Sequence, residues 1–189
     1  MHPGVGEIIF EDDFSSSGAW QLGESAKGTV ALGVNELTIA LVQPRAYLSS
    51  TRSEPSFGDF YAEITASPSL CAGVDEYGML FRARSQGDFY RFSLSCDGQV
   101  RLDRVVGSTG GSPQPWLVSA AVPRGAPSSS RLGVWAVGKE LRFFINDEFQ
   151  FVVSDSYHGN GLLGVFARSA GENAVTVSFS DLIVYQVGQ

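Results

Sequence analysis

Tyr77-Gly-Met-Leu-Phe-Arg-Ala-Arg84, then Ser-Gln-Gly-Asp, then Phe89-Tyr-Arg-Phe-Ser-Leu-Ser95 reads as two alternating strands around a polar turn. Antiparallel pairing sets Met79 against Leu94, Phe81 against Phe92 and Ala83 against Tyr90. Successive side chains on a strand point to opposite faces, so a register that gathers apolar residues on one side marks a half-buried antiparallel sheet. Leu132-Gly-Val-Trp-Ala-Val137, Gly138-Lys139 and Glu140-Leu-Arg-Phe-Phe-Ile145 repeat the pattern around a two-residue turn. Here Ala136 faces Leu141, Val134 faces Phe143 and Leu132 faces Ile145. Cys96-Asp97-Gly98 suits a three-residue hairpin loop with Gly98 left-handed, which sets Leu94 against Val100 and Phe92 against Leu102.

The same reading predicts strands near 7–11, 28–33, 36–42, 46–51, 58–66, 77–84, 89–95, 99–106, 131–137, 140–146, 149–154, 161–168 and 174–187. No segment carries a helical period, with room only for a short helical turn near 68–72 or 154–158. Gly107–Ser130 reads as the longest irregular segment, with a strand over Trp116–Val122 at its middle. The expectation is an all-β, antiparallel two-sheet jelly-roll sandwich, one domain over residues 1–189.

At 189 residues the chain buries about 70% of its unfolded surface without a staple. Its net charge of −7 argues against a nucleic-acid partner, which requires a dense basic surface. It has no apolar run long enough for a membrane span. Met1-His2-Pro3-Gly4 leads straight into the first strand without a signal peptide, which fits a cytosolic protein or a module of a longer exported chain. The pairing places Cys96 beside Tyr77, at the end where the segment holding Cys71 enters the sheet. One reading is a Cys71–Cys96 disulfide, worth roughly 3 kcal/mol and implying an oxidising compartment. The other is two buried thiols.

Enzymatic chemistry finds little support. There is no nucleophile elbow. Of the histidines, His2 is terminal and His158 reads as a solvated turn residue. Glycoside hydrolysis needs two carboxyl groups at fixed separation. Glu63 has no acidic partner on its strand face, and Glu11 and Asp13 sit where the first strand ends. Gly159-Asn-Gly-Leu-Leu-Gly164 matches a dinucleotide fingerprint only in letters, because a strand follows where a helix is required.

Phe10-Glu-Asp-Asp-Phe14, Tyr77-Gly-Met-Leu-Phe-Arg-Ala83, Phe89-Tyr-Arg-Phe, Ser95-Cys-Asp-Gly98, Arg131-Leu-Gly-Val134, Leu141-Arg-Phe-Phe-Ile-Asn-Asp147, Gly164-Val-Phe-Ala167 and Phe179-Ser-Asp-Leu182 occur in order along nearly the whole chain. In this sequence of motifs the chain resembles the concanavalin A-like lectin/glucanase superfamily. It is similar within it to bacterial laminin G-like jelly-roll modules, including the domain family named for 3-keto-disaccharide hydrolases. The resemblance implies two packed antiparallel sheets with the termini side by side. It also implies an exported module appended to a larger protein, often one that binds carbohydrate. The glucanases' Glu-x-Asp-x-Glu strand is missing. Related folds often hold a structural calcium near the joined termini, and Asp12, Asp13 and Asp181 are the oxygen donors the resemblance places there. The alternative is that these acids cap turns.

Opposite the core, the pairing puts Arg82, Arg91 and Asp103 in one cross-strand row, and sets Trp135 against Arg142 and Gly133 against Phe144. Aromatic faces beside planar hydrogen-bonding groups suit sugar rings, making Trp135, Arg142, Phe144, Arg82 and Arg91 the candidate ligand residues. The plain alternative is a cation–π pair and a charge ladder worth about 0.5–1 kcal/mol per pair. Trp20 and Trp116 read as packing residues beneath loops. Three functions follow: a non-catalytic lectin-like module for a glycan or cell-surface polymer, a structural or protein-interaction module, and a sugar-acting hydrolase or lyase.

Overall fold

A computed structural model of the chain describes residues 4–188. Its strands are β1 (Val5–Asp12), β2 (Gly23–Ser25), β3 (Gly28–Leu32), β4 (Leu37–Leu41), β5 (Tyr47–Thr51), β6 (Phe60–Leu70), β7 (Glu76–Ser85), β8 (Asp88–Ser95), β9 (Gln99–Val106), β10 (Thr109–Val118), β11 (Ser130–Val137), β12 (Glu140–Ile145), β13 (Glu148–Ser154), β14 (Leu162–Arg168) and β15 (Val175–Val187). They form two antiparallel sheets. The nine-stranded sheet runs β13-β12-β11-β6-β15-β4-β3-β2, with β1 added on β15. The six-stranded sheet runs β10-β9-β8-β7-β14-β5. The pairing of β1 with β15 brings the two ends of the described residues side by side. No helix forms among the described residues, and residues 68–70 continue β6.

The core lies between the sheets and is built by alternation. Ile64, Leu132, Val134, Phe143 and Ile145 enter it from one sheet, and Met79, Phe81, Phe92, Leu94 and Leu102 from the other, all fully buried. Phe143 is the hub: its ring lies 4.6 Å from Phe151, 4.8 Å from Phe92 and 6.0 Å from Phe81. Each such side chain contributes roughly 1.5–3 kcal/mol by leaving water.

The β11–β12 and β8–β9 hairpins pair in the expected registers, with Val134 opposite Phe143 and Leu94 opposite Val100. The β7–β8 hairpin is shifted by two residues: Met79 pairs with Phe92 and Phe81 with Tyr90. A slip of two preserves which face each residue takes, so the core set survives it. The cause is an irregularity between Phe81 and Ser85, where Arg82 takes a left-handed φ of 47° and Ser85 closes the turn against Asp88. Ala83 is thereby moved to the outer face, beside Phe89, Val105 and Phe166.

Gly107–Ser130 is less irregular than its composition suggests. Gly107 and Ser108 both have positive φ, the signature of a tight hairpin turn, and β10 returns along β9. Pro113 and Pro115 are tolerated because β10 is an edge strand with no partner on its far side.

Cys71 and Cys96 form a disulfide with Cα atoms 6.0 Å apart. The two-residue slip leaves this pairing possible, because Cys96 still reaches the end of β7, where its amide donates to the Asp75 carbonyl at 3.0 Å. The bridge spans a sequence separation of 25 residues. Its removal by Cys71→Ala/Cys96→Ala is expected to lower the unfolding free energy by roughly 3 kcal/mol, measured by urea denaturation of oxidised wild type and variant.

Candidate functional site: the outer face of the six-stranded sheet

The residues of β7, β8, β9 and β14 that alternate away from the core collect on one surface. Arg91 lies within 6.0 Å of three ring centroids, those of Tyr47, Phe89 and Phe166. It donates from Nε and Nη2 to Asp103 Oδ2 at 3.1 and 2.8 Å. The other Asp103 oxygen accepts from Ser112 Oγ at 2.6 Å and faces Arg101 Nε at 3.2 Å. Arg101 also pairs with Glu76 Oε1, while Arg168 Nη1 stands 3.4 Å from Glu76 Oε2. Glu76 is 5% exposed. Burial pushes its carboxyl above the usual range, against the opposing pull of Arg101, Arg168 and Arg91.

Trp116 of β10 completes the site. Arg101 lies 4.2 Å from its ring centroid, and the indole stays partly exposed. Trp116, Arg101, Glu76, Arg168, Arg45 and Val74 line a cleft of about 400 Å³. Two buried polar atoms on this face, Tyr47 Oη and Ser93 Oγ, have no hydrogen-bond partner within the protein, while Arg101 Nε is met by the Asp103 carboxylate. The sequence reading missed Glu76 by starting the strand at Tyr77. It placed Trp116 at the start of a short strand, but missed its role by reading the indole as packing beneath a loop.

The proposed ligand residues do not come together. Trp135, Arg142 and Phe144 lie on the outer face of the other sheet. Trp135 is 8% exposed, its ring is covered by Arg142 at 4.7 Å, and Phe144 is buried beside Tyr61. That indole is a packing residue of a small apolar cluster outside the main core. Arg82 does not join the row of Arg91 and Asp103, because the irregularity in β7 turns it inward. It is fully buried and donates to the carbonyls of Gly58 at 2.8 Å, Gly138 at 2.8 Å and His158 at 3.1 Å. Arg91 alone belongs to the present site. His158 is a buried residue rather than a solvated one, with Nε2 3.0 Å from the Val105 carbonyl; His2 lies outside the described residues. Trp20 packs as expected, stacked on Phe14 at 5.0 Å. Trp116 does not pack beneath a loop.

Asp12, Asp13 and Asp181 are not gathered into one set of oxygen donors among the described residues, and Asp181 is exposed on β15 with a φ of 52°. Asp12 accepts from the Phe14 amide at 2.7 Å, Trp20 Nε1 at 2.9 Å and Arg52 Nε at 2.6 Å. Asp13 accepts from the hydroxyl and amide of Ser15, which hold its carboxyl below the usual range. Among the described residues no group of three or more His, Cys, Asp or Glu side chains is arranged to hold a metal ion.

Two outcomes are expected. Trp135→Ala should cost about 2–4 kcal/mol in denaturant unfolding, combining lost burial with the lost cation–π contact. The Tm should be the same in excess calcium and in chelator, since only a ligand of the folded state raises it.

No protein-family model and no curated protein matches the sequence. Solved structures do. A carbohydrate-binding module, CBM66, from Bacillus subtilis superposes with a TM-score of 0.70 at 14% identity, over 89% of this chain and 96% of that one. A protein of unknown function with a galectin-like fold from Bacillus subtilis gives 0.68 at 17% identity, over 98% and 99%. A Bacteroides ovatus GH16 protein, solved with a G4G4G3G product, gives 0.70 at 10% identity, over 94% and 100%. With two antiparallel sheets in this order and these neighbours, the chain has the jelly-roll fold of the concanavalin A-like lectins and glucanases.

Proposed function

We propose that the chain is a non-catalytic glycan-binding module of an exported protein, acting through the cleft at Trp116. One observation carries this reading: a partly exposed indole is fixed over a guanidinium, beside a buried carboxylate and an exposed arginine. A sugar ring offers an apolar C–H face to the indole and a rim of hydroxyls to Glu76, Arg101 and Arg168. The sheet holds these groups in place before any ligand arrives, which lowers the entropy cost of binding. The disulfide suits an oxidising compartment. The likeness to a carbohydrate-binding module and to a glucan-bound GH16 protein supports a carbohydrate ligand.

Catalysis is disfavoured by the state of the two carboxylates on this face. Glycoside hydrolysis needs one carboxyl able to hold a proton and a second able to attack or activate water. Each oxygen of Glu76 faces an arginine, and the two oxygens of Asp103 face Arg91, Arg101 and Ser112. Both acids are engaged by arginines within the sheet face, so neither stands as a free partner in an acid–base pair across a glycosidic bond. A protein-interaction role draws on a different observation: Phe149 and Val152 on β13 are about half exposed. A glycan panel without hits, together with concentration-dependent self-association, would favour that role.

Trp116→Ala tests the glycan reading. Affinity for the glycans identified on an array should fall about tenfold or more, equivalent to the ~1.4 kcal/mol a stacking aromatic supplies. Because the ring sits on an edge strand and is partly exposed, the Tm should move little. Unchanged affinity would remove the cleft from the function.

A further inference from the structure

Resting on the glycan-binding reading, we propose that the ligand of this cleft is anionic, a sugar carrying a carboxylate or sulfate group. The chain as a whole is acidic, with a net charge of −7. The cleft reverses that sign. Arg45, Arg101 and Arg168 line it, against Glu76 as the one acidic lining residue. Asp75 lies just behind and is buried, its two oxygens accepting from the amides of Ala72 and Ala170 at 2.9 Å each. Counting Asp75 still leaves the cleft positive, and the neighbouring Arg91–Asp103 pair is neutral.

Guanidinium capacity in the cleft exceeds what its acids take up. Each arginine carries five N–H donors in a planar fork that matches a carboxylate or sulfate. Arg168 is 49% exposed along its side chain and meets Glu76 only at 3.4 Å. Arg45 is exposed and makes no ion pair among the described residues. It is held at the rim by its own backbone, which has a φ of 52° and an amide donating to the Gly171 carbonyl at 3.2 Å. A neutral sugar would leave the outward-facing guanidinium edges to water. An acidic sugar stacked on Trp116 would present its anion to Arg45 and Arg168 together. Because the chain as a whole is net negative, a polyanion is held only where arginines gather, and the substitutions below report whether that place is this cleft.

The test is affinity electrophoresis and calorimetry of the whole chain against polygalacturonate, dextran sulfate and the neutral polymers dextran and laminarin, at low and physiological salt. The carboxylate and sulfate arms identify which anion is read. At least one polyanion should bind more tightly than both neutral polymers, and salt should weaken that binding. An Arg45→Ala/Arg168→Ala variant should lose most of it, about tenfold or more, as should Trp116→Ala. Both arginines are exposed, and an unchanged Tm would confirm that the variant folds. Neutral polymers bound as well as the anionic ones, with loss in Trp116→Ala but not in the arginine variant, would overturn the anionic ligand and leave the glycan reading standing. Polyanion binding indifferent to all three substitutions would place the anion site elsewhere and overturn the proposal. No binding to these polymers or to any array glycan would overturn the glycan reading itself.

Discussion

A strand side chain has only two sides to go to, and on β7, β8 and β9 that choice separates hydrocarbon from charge. Tyr77, Met79, Phe81, Phe92, Leu94, Val100 and Leu102 turn into the sandwich. Glu76, Arg91, Arg101 and Asp103 turn the other way, on strands that are immediate neighbours. Largely removed from water, such charges are tolerated only when paired and hydrogen-bonded. The pairing of the strands therefore creates the chain Arg91–Asp103–Arg101–Glu76–Arg168 as a by-product of core formation. The buried members of the chain are fixed in position, because the strands that carry them are packed on the core by their other face.

Within that chain the arginines differ in what they can do for a ligand. Arg91 is caged by three rings, and Gly78 makes the cage possible. A Cβ at Gly78 would lie 2.0 Å from the Phe92 carbonyl oxygen and 3.2 Å from the Phe166 ring. Without it, Phe166 lies flat against the sheet and stacks with Tyr47 at 5.7 Å, forming the floor under Arg91. Arg91 is thus a fixed part of the surface. Arg168 and Arg45, at the open end, keep their donors in solvent.

The fold was legible because strand alternation is a local property. Every expected strand is present, and the β11–β12 register follows directly from Val134 and Phe143 with the two-residue turn. The site was less legible because it depends on departures from regular geometry. The irregularity at Arg82 converts a surface arginine into a buried brace for three backbone carbonyls, and nothing in Phe-Arg-Ala-Arg distinguishes that residue from its neighbour Arg84. The hairpin at Gly107–Ser108 lies in a run of Gly, Ser and Pro whose composition resembles a loop, which concealed that the strand holding Trp116 begins at Thr109 and pairs back along β9. The terminal acids were located correctly beside the last strand. The hydrogen bonds of Asp12 to Trp20 and Arg52 join separate segments and leave no mark in the sequence.

Two tryptophans lie over arginines in this molecule, and their positions in the sheets explain why one is packing and the other is available. Trp135 sits on β11, between β6 and β12, so it has neighbours on both sides. Arg142 covers its ring, and Tyr61 and Phe144 join it in an apolar cluster that leaves it nearly buried. Trp116 sits on β10, with β9 on one side and no strand on the other. Only Arg101 lies over it, and part of the ring stays in solvent. An edge strand normally invites unwanted pairing, and Pro113 and Pro115 suppress it by removing backbone donors. The same edge that must be protected from other strands is the place where an aromatic ring can be held firmly and yet remain open to a ligand.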